Sequence, residues 1–397
     1  MKLTEEERSW LAGEGGVALR RAMEIIVALG RIYGAARLIP VESVQISGVS
    51  YRNLGEAGLN FLRRWVSEGA QVRVPTLLNP TAMDLGAWTE QGLDPEFARR
   101  QEEIVALFAQ MGVGYGSPIP TCTPYHIGHR PAFGSHLAWA ESSAVSFANS
   151  VLGARTNREG GPGAIAAALT GRVADYGFHL DEKRRPTIAV EIEEQPQTVS
   201  DFSALGTVVG SEVKRGVPYF VNLEVSEPLR EAKLKALGAA MAATGAVALY
   251  HVEGVTPEAD LFPPPEERVR IGMLRKGYAL LTDTPTVDLV WIGCPHASVE
   301  EIGAVAAMLE GKRLRRPLWI TCARQVRGAA IEAGYAAIIE AAGGKLYTDA
   351  CLAIAPLREM GITRVATPSA KAAFYLRNLA GVGVRFGTLQ ECIQLAM

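Results

Sequence analysis

Apolar and polar positions follow three different rhythms along the chain. Up to about residue 113, apolar residues recur at helical spacing in "VALRRAMEIIVALGRIYGA", "GEAGLNFLRRWVSEG" and "DPEFARRQEEIVALFAQMG", the signature of helices that bury one face. Thr4-Glu5-Glu6-Glu7 predicts a capping box at the start of a short first helix, and Asp94-Pro95 marks the start of the third of the long ones. "VESVQISG" alternates toward a strand, and "QVRVPTLLNP" reads as another that stops near Asn79-Pro80. Residues 114–180 lose the rhythm: "GYGSPIPTCTPYHIGH" and "NSVLGARTNREGGPG" are too polar and too broken for ordinary core. Long irregular stretches that are dense in Cys, His, Asn, Arg and Glu predict binding loops.

"PTIAVEIEE" and "VPYFVNLEV" are the next strand candidates. "EPLREAKLKALGAAMAATGAVALYHVEG" then reads as a helix running into a strand, and "FPPPEER" is the clearest punctuation in the chain. After it a regular alternation sets in: strand "VDLVWIG", helix "SVEEIGAVAAMLEG", strand "PLWIT", helix "ARQVRGAAIEAG", strand "KLYTDA", strand "TRVATP" and helix "SAKAAFYLRNLA". This pattern predicts an α/β class with a parallel sheet covered by helices, in a C-terminal region 286–397 that follows an N-terminal and central region 1–285. Open parallel sheets bind ligands beyond the carboxyl ends of their strands, which is where Cys294, Cys322, Cys351 and Ser369 are expected.

Composition narrows the function. The 397 residues are 48% hydrophobic and carry 40 basic and 42 acidic side chains, with no Lys/Arg block, which argues against nucleic acid or an anionic membrane as partner. "MKLTEEERSWLAGEGG" is no signal peptide. No apolar run reaches the roughly 20 residues of a spanning helix, so a soluble cytoplasmic protein is expected. Five cysteines with no CxxC spacing exclude a disulfide scaffold, a zinc knuckle or a ferredoxin-type cluster. Any metal site has to be assembled from distant segments.

Three chemistries fit cysteines that converge on one rim. Thiolates around an iron with an open coordination position make a Lewis-acid site for removing a hydroxyl group. Zinc held by Cys together with His296 or His126 is the second. A Cys-His nucleophile is the third, because "GCPH" and "CTPYH" each set a histidine close to a cysteine. Spacing alone does not separate them.

"VQISGVSYRNLGEAGLNFL", "TLLNPTAMD", "PTCTPYHIGHRPAFGSHLAWAESSAVSFANSVLGARTNREGGP", "VWIGCPH", "YTDAC", "ATPSAKAAFYLRN" and "FGTLQECI" together resemble the aconitase X family in its catalytic large-subunit form. The resemblance implies an aconitase-like catalytic region that lacks the small swivelling domain, with that domain supplied by a partner subunit. It implies a hydro-lyase that depends on an iron-sulfur cluster and acts on a small β-hydroxy carboxylate. Dehydration of mevalonate 5-phosphate to trans-anhydromevalonate 5-phosphate, in isoprenoid synthesis, is the first expectation. Dehydration of cis-3-hydroxy-L-proline is the second, and a non-catalytic metal-binding or scaffolding subunit is the reading from another class. Carried over by motif, the cluster ligands are Cys122, Cys294 and Cys351, around [4Fe-4S] with one open iron position or around [2Fe-2S]. Ser369, Lys371 and His126 are the candidates for proton handling, although Ser369 reads equally well as a helix cap. Ser47, Tyr51, Glu56, Asn79, Asp84, Arg155, Asn157, Arg158 and Glu159 are the candidates for substrate contact. Cys322 and Cys392 are expected in the core.

Overall fold

A computed structural model of the chain describes every residue except Met273. Its largest sheet has five parallel strands in the order Lys345–Thr348, Leu318–Cys322, Leu289–Ala297, Arg364–Thr367, Gly383–Phe386. The central strand opens on "LVWI", and its side chains alternate between two cores: Val290 and Ile292 pack on one face, Leu289 and Trp291 on the other. A strand apolar on both faces belongs in the middle of a sheet covered on both sides. The helices Val299–Leu309, Arg324–Glu332 and Tyr335–Ala342 cover the first face, and Ala370–Tyr375 covers the second.

The same strand departs from expectation at its end. Periodicity predicts an exit at Gly293, yet the strand runs on to Ala297 through a register shift after Ile292. Gly293 makes this possible. Its φ is +99°, and a Cβ there would fall on the backbone of Thr321, so only glycine lets the two strands approach. Cys294 is therefore presented by a bulge inside the strand rather than by a loop after it.

Four further parallel strands, ordered His251–Val252, Pro218–Phe220, Ile188–Ile192, Arg268–Ile271, form a second sheet. It is backed by the helices Val199–Val213 and Arg230–Gly245, which bury residues almost all round. The two helices touch backbone to backbone: a Cβ on Gly245 would collide with the carbonyl of Gly210. A third parallel sheet, Thr76–Leu78, Val44–Ile46, Ala138–Trp139, lies against an N-terminal core that includes the amphipathic helix Val17–Ile32 and the helix Gly161–Thr170. Thr81 joins this sheet to the five-stranded one. Its N–H donates to the carbonyl of Asp349 at 2.7 Å, and its carbonyl accepts from the N–H of Cys351 at 2.9 Å. Among the described residues no helix is long and apolar enough to cross a membrane.

Candidate active site

Where the carboxyl ends of these two sheets meet lies a cavity of about 200 Å³. Cys122, Cys294 and Cys351 all line it, although they come from three segments far apart in sequence. Cys122 follows Thr121, whose N–H extends the pairing of the strand Thr76–Leu78 by donating to Leu78 at 2.8 Å. Cys294 sits on the bulge beyond Gly293. Cys351 follows the strand Lys345–Thr348 and is pinned by Thr81. Cys122 and Cys294 are buried, and Cys351 is half-buried. Cys322 and Cys392 are fully buried among apolar side chains, away from the cavity.

One imidazole reaches all three segments. The backbone N–H of His296 donates to Cys122 Sγ at 3.2 Å. Its Nε2 lies 2.9 Å from the carbonyl of Ala350 and its Nδ1 lies 3.1 Å from Thr121 Oγ. A carbonyl only accepts, so Nε2 carries the proton and Nδ1 accepts from the Thr121 hydroxyl. Burial lowers the pKa of this ring to about 4, which keeps it neutral at neutral pH. With both nitrogens engaged, His296 is not available as a zinc ligand, and among the described residues no three His, Cys, Asp or Glu side chains are disposed to hold a single metal ion.

The cavity has one buried cation. Lys371, on the helix Ala370–Tyr375, pairs with Glu141 and donates to Ser143 Oγ at 3.0 Å. Burial disfavours the charged lysine, but Glu141 and the nearby thiols outweigh it and raise its pKa. Burial likewise works against the Glu141 carboxylate; the Lys371 charge, with hydrogen bonds from Lys371, Ser143 and the Ala144 N–H, holds it at about 2. The thiols divide. Burial pushes Cys122 up to about 12. Cys294 donates its hydrogen bond to Cys351, which raises Cys294 and lowers Cys351.

Ser47, Asn79 and Arg158 also line the cavity, as expected of substrate contacts. Arg158 is exposed and makes no ion pair among the described residues, and the Asn79 side-chain oxygen is buried without a partner. The other candidates lie elsewhere. Tyr51 starts a helix, with its N–H on Gln101 at 3.1 Å. Glu56 is a surface carboxylate paired with Arg63 and Arg100 at 2.7 and 3.0 Å. Asp84 accepts from the backbone and hydroxyl of Thr348 at 2.6 and 3.1 Å and so braces a strand end. Arg155 pairs with Asp181 and donates to the carbonyl of His179 at 3.0 Å. Asn157 accepts from Phe178 at 2.9 Å and donates to Tyr176 at 3.0 Å. Glu159 is buried with one oxygen unpartnered, and burial raises it to about 7.

Ser369 lies behind Cys294, on a separate cavity of about 70 Å³. It caps its helix by accepting from Ala372 at 3.1 Å, and it donates to the carbonyl of Cys294. His126 lines a different, polar groove beside Glu231, Lys235 and Glu301, and burial lowers it to about 2. Motif reading passed over Glu141. The string "WAESSAV" shows an acidic residue ahead of a helix start, which marks an N-cap but not a partner for a lysine 230 residues away.

Comparisons with known proteins agree along the whole chain. Profiles described as the aconitase X first, second and third domains match residues 1–182, 186–276 and 287–397. The chain is 46% identical to the phosphomevalonate dehydratase large subunit of Methanocaldococcus jannaschii, over 99% of this chain and 100% of that one. It is 37% identical to the cis-3-hydroxy-L-proline dehydratase of Pseudomonas aeruginosa, over 100% of this chain but 70% of that protein. The crystal structure of Thermococcus kodakaraensis aconitase X in its holo-form superposes with a TM-score of 0.93, at 46% identity and with 100% of both chains covered.

Proposed function

The chain belongs to the aconitase X family, and from that membership we infer that it is the large catalytic subunit of a mevalonate 5-phosphate dehydratase, a hydro-lyase giving trans-anhydromevalonate 5-phosphate. The sequence identities favour this substrate: five phosphomevalonate dehydratase large subunits share 38–47% of their residues with the chain, against 37% and 34% for two cis-3-hydroxy-L-proline dehydratases. The observation that carries the reading is the convergence of Cys122, Cys294 and Cys351 on one cavity.

The donor set fits an iron-sulfur cluster. Soft sulfur ligands suit iron, and a cluster spreads its ligands around several metal atoms, so it needs thiols around a cavity rather than around one point. When bound, such a cluster supplies a Lewis-acidic iron that polarises the C–O bond to be broken. The cysteines Cys122, Cys294 and Cys351 would hold it.

The chain's own residues do the rest. Arg158 offers a free guanidinium whose paired N–H groups suit a carboxylate or a phosphate. Asn79 offers an unspent acceptor for a substrate hydroxyl. Lys371 stays protonated and supplies positive charge beside an anionic substrate. None of these removes the proton alpha to the carboxylate. Glu141 at about 2 is a weak base, and both nitrogens of His296 are engaged. We assign the base to a companion small subunit, which the large-subunit relatives' names support and which would close over the cavity.

The test is to purify the chain anaerobically with its small-subunit partner, reconstitute the cluster and offer both substrates. Turnover of mevalonate 5-phosphate alone is expected. Turnover of cis-3-hydroxy-L-proline alone overturns the substrate, and turnover of neither by an iron-loaded heteromer overturns the function.

A further inference from the structure

The three cysteine-bearing segments are not tied to each other equally. Two of them share a frame, because Cys122 follows a residue bonded to Leu78 and Cys351 is bonded to Thr81, just past the end of the same strand. Cys294 lies on the central strand of the five-stranded sheet, separated from the strand that leads to Cys351 by Leu318–Cys322. Hydrogen bonds tie it to both of those segments at once through His296, two residues on, which contacts Thr121 on one side and Ala350 on the other, each the neighbour of a cysteine. The carbonyl of His296 is itself fixed by Lys235 at 3.0 Å, and the residue is 1% exposed. Every hydrogen-bonding group of His296 is thus spent on holding chain segments, and none faces the cavity as a ligand.

We propose that His296 is the positioning residue of the three-cysteine cradle, clipping the strand that carries Cys294 to the segments that carry Cys122 and Cys351. The inference rests on the reading that these thiols hold an iron-sulfur cluster. Its physical content is preorganisation. Separation between the thiols is set before the cluster arrives, so less ordering opposes loading and a bound cluster cannot lose one ligand by drift of the middle strand. Hydrogen-bonded neighbours of metal ligands commonly control affinity by 10–100-fold.

The experiment measures release of iron from the reconstituted heteromer to a ferrous chelator, alongside the melting midpoint of each iron-free form. Four proteins are compared. Thr121→Val removes one hydroxyl and keeps the volume, His296→Gln keeps an N–H donor in reach of Ala350, and His296→Ala removes both side-chain bonds. Release about tenfold faster than wild type is expected for His296→Ala, with Thr121→Val and His296→Gln between, each accelerated by more than any lowering of its iron-free melting midpoint accounts for. Release at the wild-type rate in both of these variants overturns the inference. So does faster release that merely follows a lowered melting midpoint, since that is ordinary core destabilisation. A wild-type heteromer that retains no iron overturns the cofactor reading itself, a result distinct from wild type holding iron and the variants holding it equally.

Discussion

Glu159 and Lys371 show how differently two buried charges are treated in this molecule. The Glu159 carboxyl has no partner to offset burial, so its pKa rises to about 7. The folded state then binds a proton more tightly than the unfolded state, whose carboxyl titrates near 4.3, and stability falls as pH rises from about 4 to about 7. Glu159→Gln is therefore expected to stabilise the protein at pH 8, by on the order of 3–4 kcal/mol, and to have little effect at pH 4; chemical denaturation at the two pH values measures this. Lys371 is the opposite case, since its charge is matched by Glu141 inside the same site. Lys371→Met strands a buried carboxylate and is expected to cost about 3–5 kcal/mol. Lys371→Met combined with Glu141→Gln should recover a large part of that, which a double-mutant cycle resolves. An additive outcome would mean that the two groups are not coupled.

At the scale of elements, the site depends on one glycine. Gly293→Ala is expected to force strand Leu289–Ala297 away from Thr321 and to cost at least 1–3 kcal/mol, read as a lowered denaturation midpoint. The elements themselves were largely legible. A continuous apolar run in "LVWI" and a period near 3.6 in "VALRRAMEIIVALGRI" report burial directly, because a buried face has to be apolar. What periodicity could not show was the extension of a strand through Cys294-Pro295-His296, which depends on a backbone approach and not on side-chain pattern. Motif strings placed Ser47, Asn79, Arg158 and Lys371 at the cavity with the three cysteines. The same strings drew in Glu56, Asp84, Arg155 and Asn157, whose partners are backbone groups and surface charges of neighbouring elements. A motif records that a residue sits near a site and does not say which way its side chain points. Glu141 and His296 were hidden for a related reason: their roles are contacts made across 230 and 175 residues of sequence.

Across the whole molecule the five thiols fall into two populations. Cys322 and Cys392 are sealed in the core of the five-stranded sheet, while Cys351 is half-buried at a cavity and its thiol is lowered by the hydrogen bond from Cys294. In the cofactor-free chain, iodoacetamide is expected to modify Cys351 first. Modification of Cys322 and Cys392 should keep pace with global unfolding followed by circular dichroism. Peptide mass spectrometry separates the two, and early labelling of Cys322 would mean that the sheet opens locally. The same arrangement orders events during synthesis. Cys122 leaves the ribosome long before Cys351, and the strand that carries Cys294 pairs with Arg364–Thr367, later still in the chain. On the proposed reading, a cluster that needs all three thiols is taken up only after Cys351 and the strand Arg364–Thr367 have been made, so cofactor content would count molecules whose translation and folding have both run to completion.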